Sequence, residues 1–382
     1  MTGRLDVAIV GAGPVGATVA ALAARSGFSF RVFEARTGPS GDKRTLALSH
    51  ASREILEEAG AWPALEATPI EAIHVSQKGG PGRTLIAARD HGVPALGYTV
   101  AYAALEASLE RRLAAAGIPV AWGESCERIA LGADEAVIAF RSGLEARARL
   151  LVLADGGANS ARIPGIAYSE KDYGQHALTA AVRTDRPHAG RAYERFTPQG
   201  PAALLPVGDR YALVWTATPA EAARLAALPE PDFLAELQAH FGDRAGRFSA
   251  ASKRASFPLR LRTVNTTVAL RTAIVGNAAQ AMHPIAGQGL NIGLRDAATL
   301  AAAIASATPE TLGSIAMLDA YREARRRDTT RGVAFTDFLV SAFADARTIP
   351  TWGRGLALAA FDLFPPARRM LAERMIRGAG SP

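Results

Sequence analysis

A single cysteine, Cys126, stands in a chain of 382 residues, which excludes an internal disulfide and the disulfide scaffolds of small secreted domains. The seven histidines (His50, His74, His91, His176, His188, His240 and His283) are scattered without metal-ligand spacing, so no structural or catalytic metal is expected. Repeats and homopolymer tracts are absent, and the 36 glycines and 22 prolines are dispersed, which removes solenoid, collagenous and disordered classes. Aromatic residues make up only 7%, and no aromatic-and-basic module points to nucleic acid. The one long uncharged run, Val7 to Ala24, has the length of a membrane span. It is broken by Gly11, Gly13, Pro14 and Gly16 and has no basic leader, so neither a span nor a signal peptide is expected. What remains, 49% hydrophobic and 21% charged, is a globular chain of two or three structural units suited to a reducing, cytoplasmic setting.

Asp6 to Val10 reads as a short buried strand, followed at once by Gly11-Ala12-Gly13-Pro14-Val15-Gly16 and an alanine-rich helix that Gly27 stops. A second strand, Phe30 to Glu34, ends in an acid 23 positions after the first glycine. In such a βαβ unit Gly11 permits the tight turn, Gly13 lets backbone approach a pyrophosphate, and Gly16 lets helix and strand pack closely. Glu34 is placed to accept hydrogen bonds from an adenosine ribose, and its charge disfavours a 2′-phosphate. The fingerprint therefore predicts NAD or FAD and does not choose between them.

Two later segments add to it. Leu150 to Leu153 is an apolar strand that runs into Ala154-Asp155-Gly156, then Asn159, Ser160 and Arg162. Thr272 to Val275 leads through Gly276-Asn277-Ala278-Ala279-Gln280 to Pro284, Gly287, Gly289, Leu290 and Asn291, and then into a long helix through Arg295 and Asp296.

With these three motifs the chain resembles the group A flavoprotein aromatic hydroxylases over nearly its whole length. The stretch Gly276 to Asp296, with its Gly-Asn-Ala-Ala-Gln, together with Gly190 to Thr197 and Thr336 to Leu339, is similar to the ubiquinone-biosynthesis branch, of the 2-polyprenyl-6-methoxyphenol hydroxylase type. The resemblance implies a Rossmann-like α/β (α+β) FAD-binding domain with an inserted antiparallel-sheet substrate domain and a C-terminal helical region, as in para-hydroxybenzoate hydroxylase. It implies FAD held by Gly11, Gly13, Gly16, Glu34, Arg36, Arg44, Asp155, Gly156, Gly276, Asn277, Pro284, Gly287, Gly289, Leu290 and Asn291. Of these, Pro284, Gly287 and Gly289 would lie near the flavin ring, with no certain catalytic side chain. The implied reaction is hydroxylation of a polyprenylated phenol through a C4a-hydroperoxyflavin, with O2 as co-substrate and NAD(P)H or another reductant as electron donor. Glycines at positions 287 and 289 leave room for a planar ring, and the helix that follows points its positive end at it, which favours the negative charge of a reduced flavin.

The chain departs from the wider family at several points. Asn277 and Gln280 are amides where titratable groups are usual, one residue is inserted between Gly156 and Ser160, and Ala103 stands where a basic phosphate contact is common. Two other functions remain open on these residues: hydroxylation of a small soluble aromatic acid, and a flavin-binding, non-catalytic subunit of a quinone-biosynthesis assembly.

Because the FAD motifs are spread along the chain, the FAD-binding domain is expected to be discontinuous. Its parts are set at 1–72, 101–167 and 266–310, with substrate-domain segments at 73–100 and 168–265 and a helical region at 311–382. The segments Leu178 to Val182, Arg191 to Thr197, Ala202 to Val207, Tyr211 to Thr216 and Ala255 to Leu261 read as an antiparallel sheet over the flavin ring. Tyr193, Phe196, Leu204, Pro206 and Trp215 are candidates for the substrate pocket and equally for sheet core. From Tyr321 onward there are 11 arginines and 6 acids, so +5 of the net +7 lies there. That segment reads either as a helical cap or as a surface that docks on the inner face of the cytoplasmic membrane or on other quinone-biosynthesis proteins, with Arg368, Arg369, Arg374 and Arg377 beside Phe361 and Phe364.

Overall fold

In the computed structural model, residues 3–62, 65–78, 83–197, 200–282 and 288–344 are described, with Glu373 and Ile376 beyond them. The strand Leu5–Val10 lies at the centre of a mostly parallel sheet, between Phe30–Glu34 and Glu145–Leu153. Val120–Trp122 continues the sheet beyond Phe30–Glu34, and Thr272–Ile274 continues it beyond Glu145–Leu153. A strand paired on both sides and covered on both faces must be apolar along its length, and Val7, Ala8 and Ile9 have no exposed surface.

One face of this sheet is covered by helices. Pro14–Ala23, Tyr102–Ala115 and Gln288–Ala305 pack on it around Val19, Leu105, Leu109 and Leu300. The other face is covered by the hairpin Cys126–Leu131 and Ala136–Phe140, where the rings of Phe33 and Phe140 stack at 4.6 Å. The run Val7 to Ala24 is thus a buried strand and its returning helix. Among the described residues, no helix is long and apolar enough to cross a membrane.

The second sheet has nine strands. The five expected segments all belong to it, as Tyr168–Thr184, Arg191–Phe196, Ala202–Val207, Arg210–Ala217 and Ala255–Val264. It is not wholly antiparallel, because Ala72–Gln77 joins it parallel to Arg191–Phe196 and brings Arg83–Ala87 with it. Such a pair needs a long connection, and more than 100 residues separate these two strands. Helices Pro219–Ala227 and Glu230–Phe241 pack on the sheet's far face over Leu204, Leu213 and Trp215. A three-stranded sheet is formed by Thr45–Ser49, Ala67–Ile70 and Gly97–Ala101, and the strands Ala72–Gln77 and Arg83–Ala87 of the nine-stranded sheet are inserted between its last two strands in the chain. The long helices are Gln288–Ala305 and Ile315–Ala344.

Candidate active site

One cleft of about 1740 Å³ runs from the glycine loop to the near face of the nine-stranded sheet. A drug-sized pocket holds roughly 300–1,000 Å³, so this cleft has room for a dinucleotide and a further ligand.

The loop end is built by the first βαβ unit. Gly11 has φ +108, and a Cβ there would lie 2.5 Å from the Ala154 carbonyl oxygen. A Cβ at Gly16 would lie 2.1 Å from the Gly11 oxygen. Both glycines are therefore demanded by the protein's own packing. Gly13 differs: it lines the cleft, and the nearest atom to a Cβ there is the Tyr102 hydroxyl at 3.9 Å. Pro14 opens the helix without a side-chain cap or an acid in the first turn, which leaves its first N–H groups for an anion.

Glu34 closes this end. Its Oε2 accepts the Ala12 N–H at 2.8 Å, and its Oε1 accepts the Arg36 N–H and Nε, each at 3.0 Å. Arg36 also reaches Glu106 Oε1 at 2.6 Å. Burial pushes the Glu34 carboxyl up, but the bonds from Arg36 and Ala12 outweigh it and hold the pKa below its ordinary value. Arg44 lines the cleft with its guanidinium paired to Asp42 at 2.5 Å and lying 5.5 Å over the Tyr102 ring. Tyr102 precedes Ala103, the position where a basic residue is common in the wider family, and it is Tyr102 that borders the cleft.

The Asp155 motif accommodates its extra residue as a two-glycine turn, with Gly156 at φ +71 and Gly157 at φ +94. The Asp155 carboxylate closes that turn by accepting the N–H groups of Gly157 and Asn159 and the Asn159 side-chain amide. Asp155, Gly156 and Asn159 all line the cleft. Arg162, displaced in the sequence, is anchored instead to the carbonyls of Cys126 and Glu127.

From the third motif, Asn277, Gly289, Leu290 and Asn291 line the cleft. Asn291 is held by the Ser49 N–H and the Ser52 hydroxyl, and donates to the Ala47 carbonyl at 3.0 Å. Gly276 does not reach the cleft. It has φ +62 and packs against Val15, and its N–H donates to Asp296 Oδ2. Gln280 donates to the same oxygen at 2.7 Å, so the amide that replaces a titratable group works as a structural donor. Behind Asp296 lies a buried charge network that sequence patterning did not isolate: Arg325 bridges Asp296 and Asp328, each at 2.7 Å, and Arg295 pairs with Asp328. Pro284 and Gly287 lie outside the described residues.

The near face of the sheet forms the opposite wall, and four of the five substrate-pocket candidates point elsewhere. Strand alternation puts Tyr193, Leu204, Pro206 and Trp215 on the far face, where Tyr193, Leu204 and Trp215 enter the core under the two helices. Tyr193 still borders the cleft, with its hydroxyl donating to the Arg244 carbonyl. Phe196 has the near-face parity but packs in a separate cluster with Ile73, Ile86 and Ile376. The wall itself consists of smaller side chains, among them Thr179, Ala181, Ala203, Leu205, Ala212 and Val214.

Three glycines from three distant motifs, Gly13, Gly156 and Gly289, line this cleft, and among the described residues, chain neighbours and a glycine's own helix backbone aside, no atom comes within 3.8 Å of where a Cβ would stand. Together with an uncapped helix start and a ribose-height carboxylate, that cradle fits an FAD.

The comparisons agree. The FAD binding domain family matches residues 4–336. Ubiquinone hydroxylase UbiL of Rhodospirillum rubrum is 38% identical over 96% of this chain and 88% of its own. The 3-demethoxyubiquinol 3-hydroxylase of Escherichia coli is 30% identical over 94% of each chain. Among solved structures, p-nitrophenol 4-monooxygenase PnpA of Pseudomonas putida shares the fold with a TM-score of 0.78 at 19% identity, over 99% of both chains. The chain belongs to the FAD-dependent monooxygenases of the FAD binding domain family, in the group that holds the ubiquinone-biosynthesis hydroxylases.

Proposed function

We propose that the chain hydroxylates the aromatic ring of a polyprenylated phenol, consuming O2 and taking electrons from NAD(P)H or a comparable donor. The observation that carries this reading is the continuity of one cleft from the glycine cradle to an apolar wall of small side chains. FAD, once bound, supplies the activation of O2. The chain's own residues do the rest. Gly13 and the helix start hold the pyrophosphate, Glu34 accepts the ribose hydroxyls, and Arg36 keeps that carboxylate ionised and oriented. Arg44 lies toward the phosphates. Asp155, Gly156 and Asn277 hold the middle of the cofactor, and Gly289, Leu290 and Asn291 present backbone to the ring; Pro284 and Gly287 belong to the same assignment. Thr179, Ala203, Leu205 and Val214 exclude water from the reacting ring and leave it room.

A polyprenyl tail resides in a bilayer, and the excess positive charge after Tyr321 suits an anionic membrane surface. The proposed docking residues, Arg368, Arg369, Arg374 and Arg377 with Phe361 and Phe364, lie outside the described residues. The test of function is a quinone-intermediate profile of a strain lacking this protein, paired with single turnovers of the reduced holoenzyme on phenols of increasing tail length. An accumulated phenolic precursor and product formation support the reading. A normal quinone profile, or peroxide without hydroxylated product at every tail length, overturns it.

A further inference from the structure

We propose that Glu194 is a catalytic residue, the base that takes the phenol proton of the substrate as the ring is hydroxylated. This deepens the functional reading above and rests on it.

The argument starts from register. Glu194 pairs with Ala203, Ala203 with Val214, Val214 with Thr179 and Thr179 with Ala255, so these residues form one row across four neighbouring strands and the next. Side chains directly opposed in a sheet share a face, and all five line the cleft. Glu194 is the one ionisable group in that row. It makes no hydrogen bond or ion pair among the described residues, and burial alone pushes its carboxyl up to about 7.

The surroundings leave it uncompensated. On its own strand Arg191 and Arg195 have the opposite parity, and Arg195 reaches Ser76. On one neighbouring strand His74 faces Tyr193 on the far side, with ring centroids 5.7 Å apart, while Val75 stands beside Glu194. The other neighbour, Ala202–Val207, carries no titratable residue. Past Thr179, Lys253 and Arg254 border the cleft, and Arg254 is tied to the carbonyls of Ala226 and Leu228. Arg210 lies beside Asp209, and Arg260 pairs with Glu170 and Asp172. A half-buried carboxyl that faces a ligand cleft without a partner among the described residues costs stability when ionised, and a protein that keeps one there gains a group matched to a proton transfer near neutral pH.

The phenol supplies the missing partner. Its O–H donates to the Glu194 carboxylate, and as the proton passes over, the oxygen's electron pair moves into the ring. The ring carbon then forms a bond to one oxygen atom of O2 as the O–O bond breaks; the ring is oxidised by two electrons, and two electrons from the reduced cofactor with two protons carry the other oxygen off as water. The resulting dienone loses its ring proton to water, while the original oxygen recovers a proton from Glu194, which returns to the carboxylate.

The test uses the holoenzyme with two probes, a short-tailed 2-methoxyphenol and its O-methyl ether, and follows binding by flavin fluorescence from pH 5 to pH 9. With wild type the phenol should bind more tightly as Glu194 ionises, and the ether, which has no donor for the carboxylate, more weakly. In Glu194→Gln both affinities should be flat with pH. In single turnovers product yield should fall at least about tenfold, with peroxide making up the loss, and Glu194→Asp should restore part of it with the acid limb retained. Parallel pH trends for the two probes in wild type, or a wild-type product yield in Glu194→Gln, overturn the proposal. If Glu194→Gln loses its flavin, the wild-type probe comparison decides alone. A wild type that hydroxylates no phenol would instead sink the functional reading.

Discussion

The backbone N–H of Ala12 donates to Glu34 Oε2 at 2.8 Å, so the glycine loop and the acid that ends the second strand are one hydrogen-bonded unit. The carboxylate thus shapes the loop in addition to its proposed contact with the ribose. Glu34→Ala should weaken FAD binding by about 1.5–3 kcal/mol, the range for hydrogen bonds to a charged group, measured by titration of the apoprotein. The folded pKa is depressed below 4.5, so this support is in place above that pH and is lost as the pH falls through the depressed value. Release of flavin from wild type on acidification should therefore be steeper than from Glu34→Gln, and equal profiles would refute the linkage.

The glycines separate into two kinds, and substitution should show it. Gly13→Val should abolish FAD binding while costing the apoprotein far less stability than Gly16→Val, because the nearest described atom to a Cβ there is the Tyr102 hydroxyl at 3.9 Å. Gly16→Val should destabilise the apoprotein itself, since its Cβ would stand 2.1 Å from a backbone oxygen. A Gly13→Val variant with full flavin content would remove the loop from the cofactor site.

Arg325→Met should cost about 3–5 kcal/mol, because it strands Asp296 as a buried carboxylate without a cation and leaves Asp328 to Arg295 alone. Asp296 also holds Gly276 and Gln280, so flavin content should fall with stability. An unchanged denaturation midpoint would mean that the network is dispensable.

Glu194 gives a stability signature that is independent of turnover. Its folded pKa, raised from 4.5 to about 7, means its carboxyl is accommodated at low pH and becomes a burden that grows as the pH rises from about 4.5 to 7 and is complete above that. Allowing for partial solvent contact, the burden is about 2 kcal/mol. Glu194→Gln should therefore raise the holoenzyme melting temperature at pH 8 and leave it unchanged at pH 4. The same increment at both values would show that ionisation is not the cause.

The first βαβ unit was legible because glycine, helix and acid positions are fixed by backbone geometry, and the strand Phe30–Glu34 ends at the predicted residue. The face of the substrate sheet was not. Both faces are covered, one by helices and one by the cleft, so alternation yields two apolar sets. The bulky set, with Leu204 and Trp215, belongs to the helices. Small size was the usable signal, since Ala203, Ala212 and Thr179 leave room where a ligand must lie. The Asp296–Arg325–Asp328 network escaped notice because its members come from different helices and carry no local spacing. Glu194 sits inside a quoted motif, yet only pairing shows which wall it joins.

The central position of Leu5–Val10 sets a timetable for the chain's birth. Its pairing partner on one side is not made until residue 153, and Gly289 not until far later. At a synthesis rate of roughly 5–20 residues per second, that apolar strand waits on the order of ten seconds with one edge open before the parallel sheet can close. Flavin capture at the proposed site must wait longer still, until Gly289 has been made.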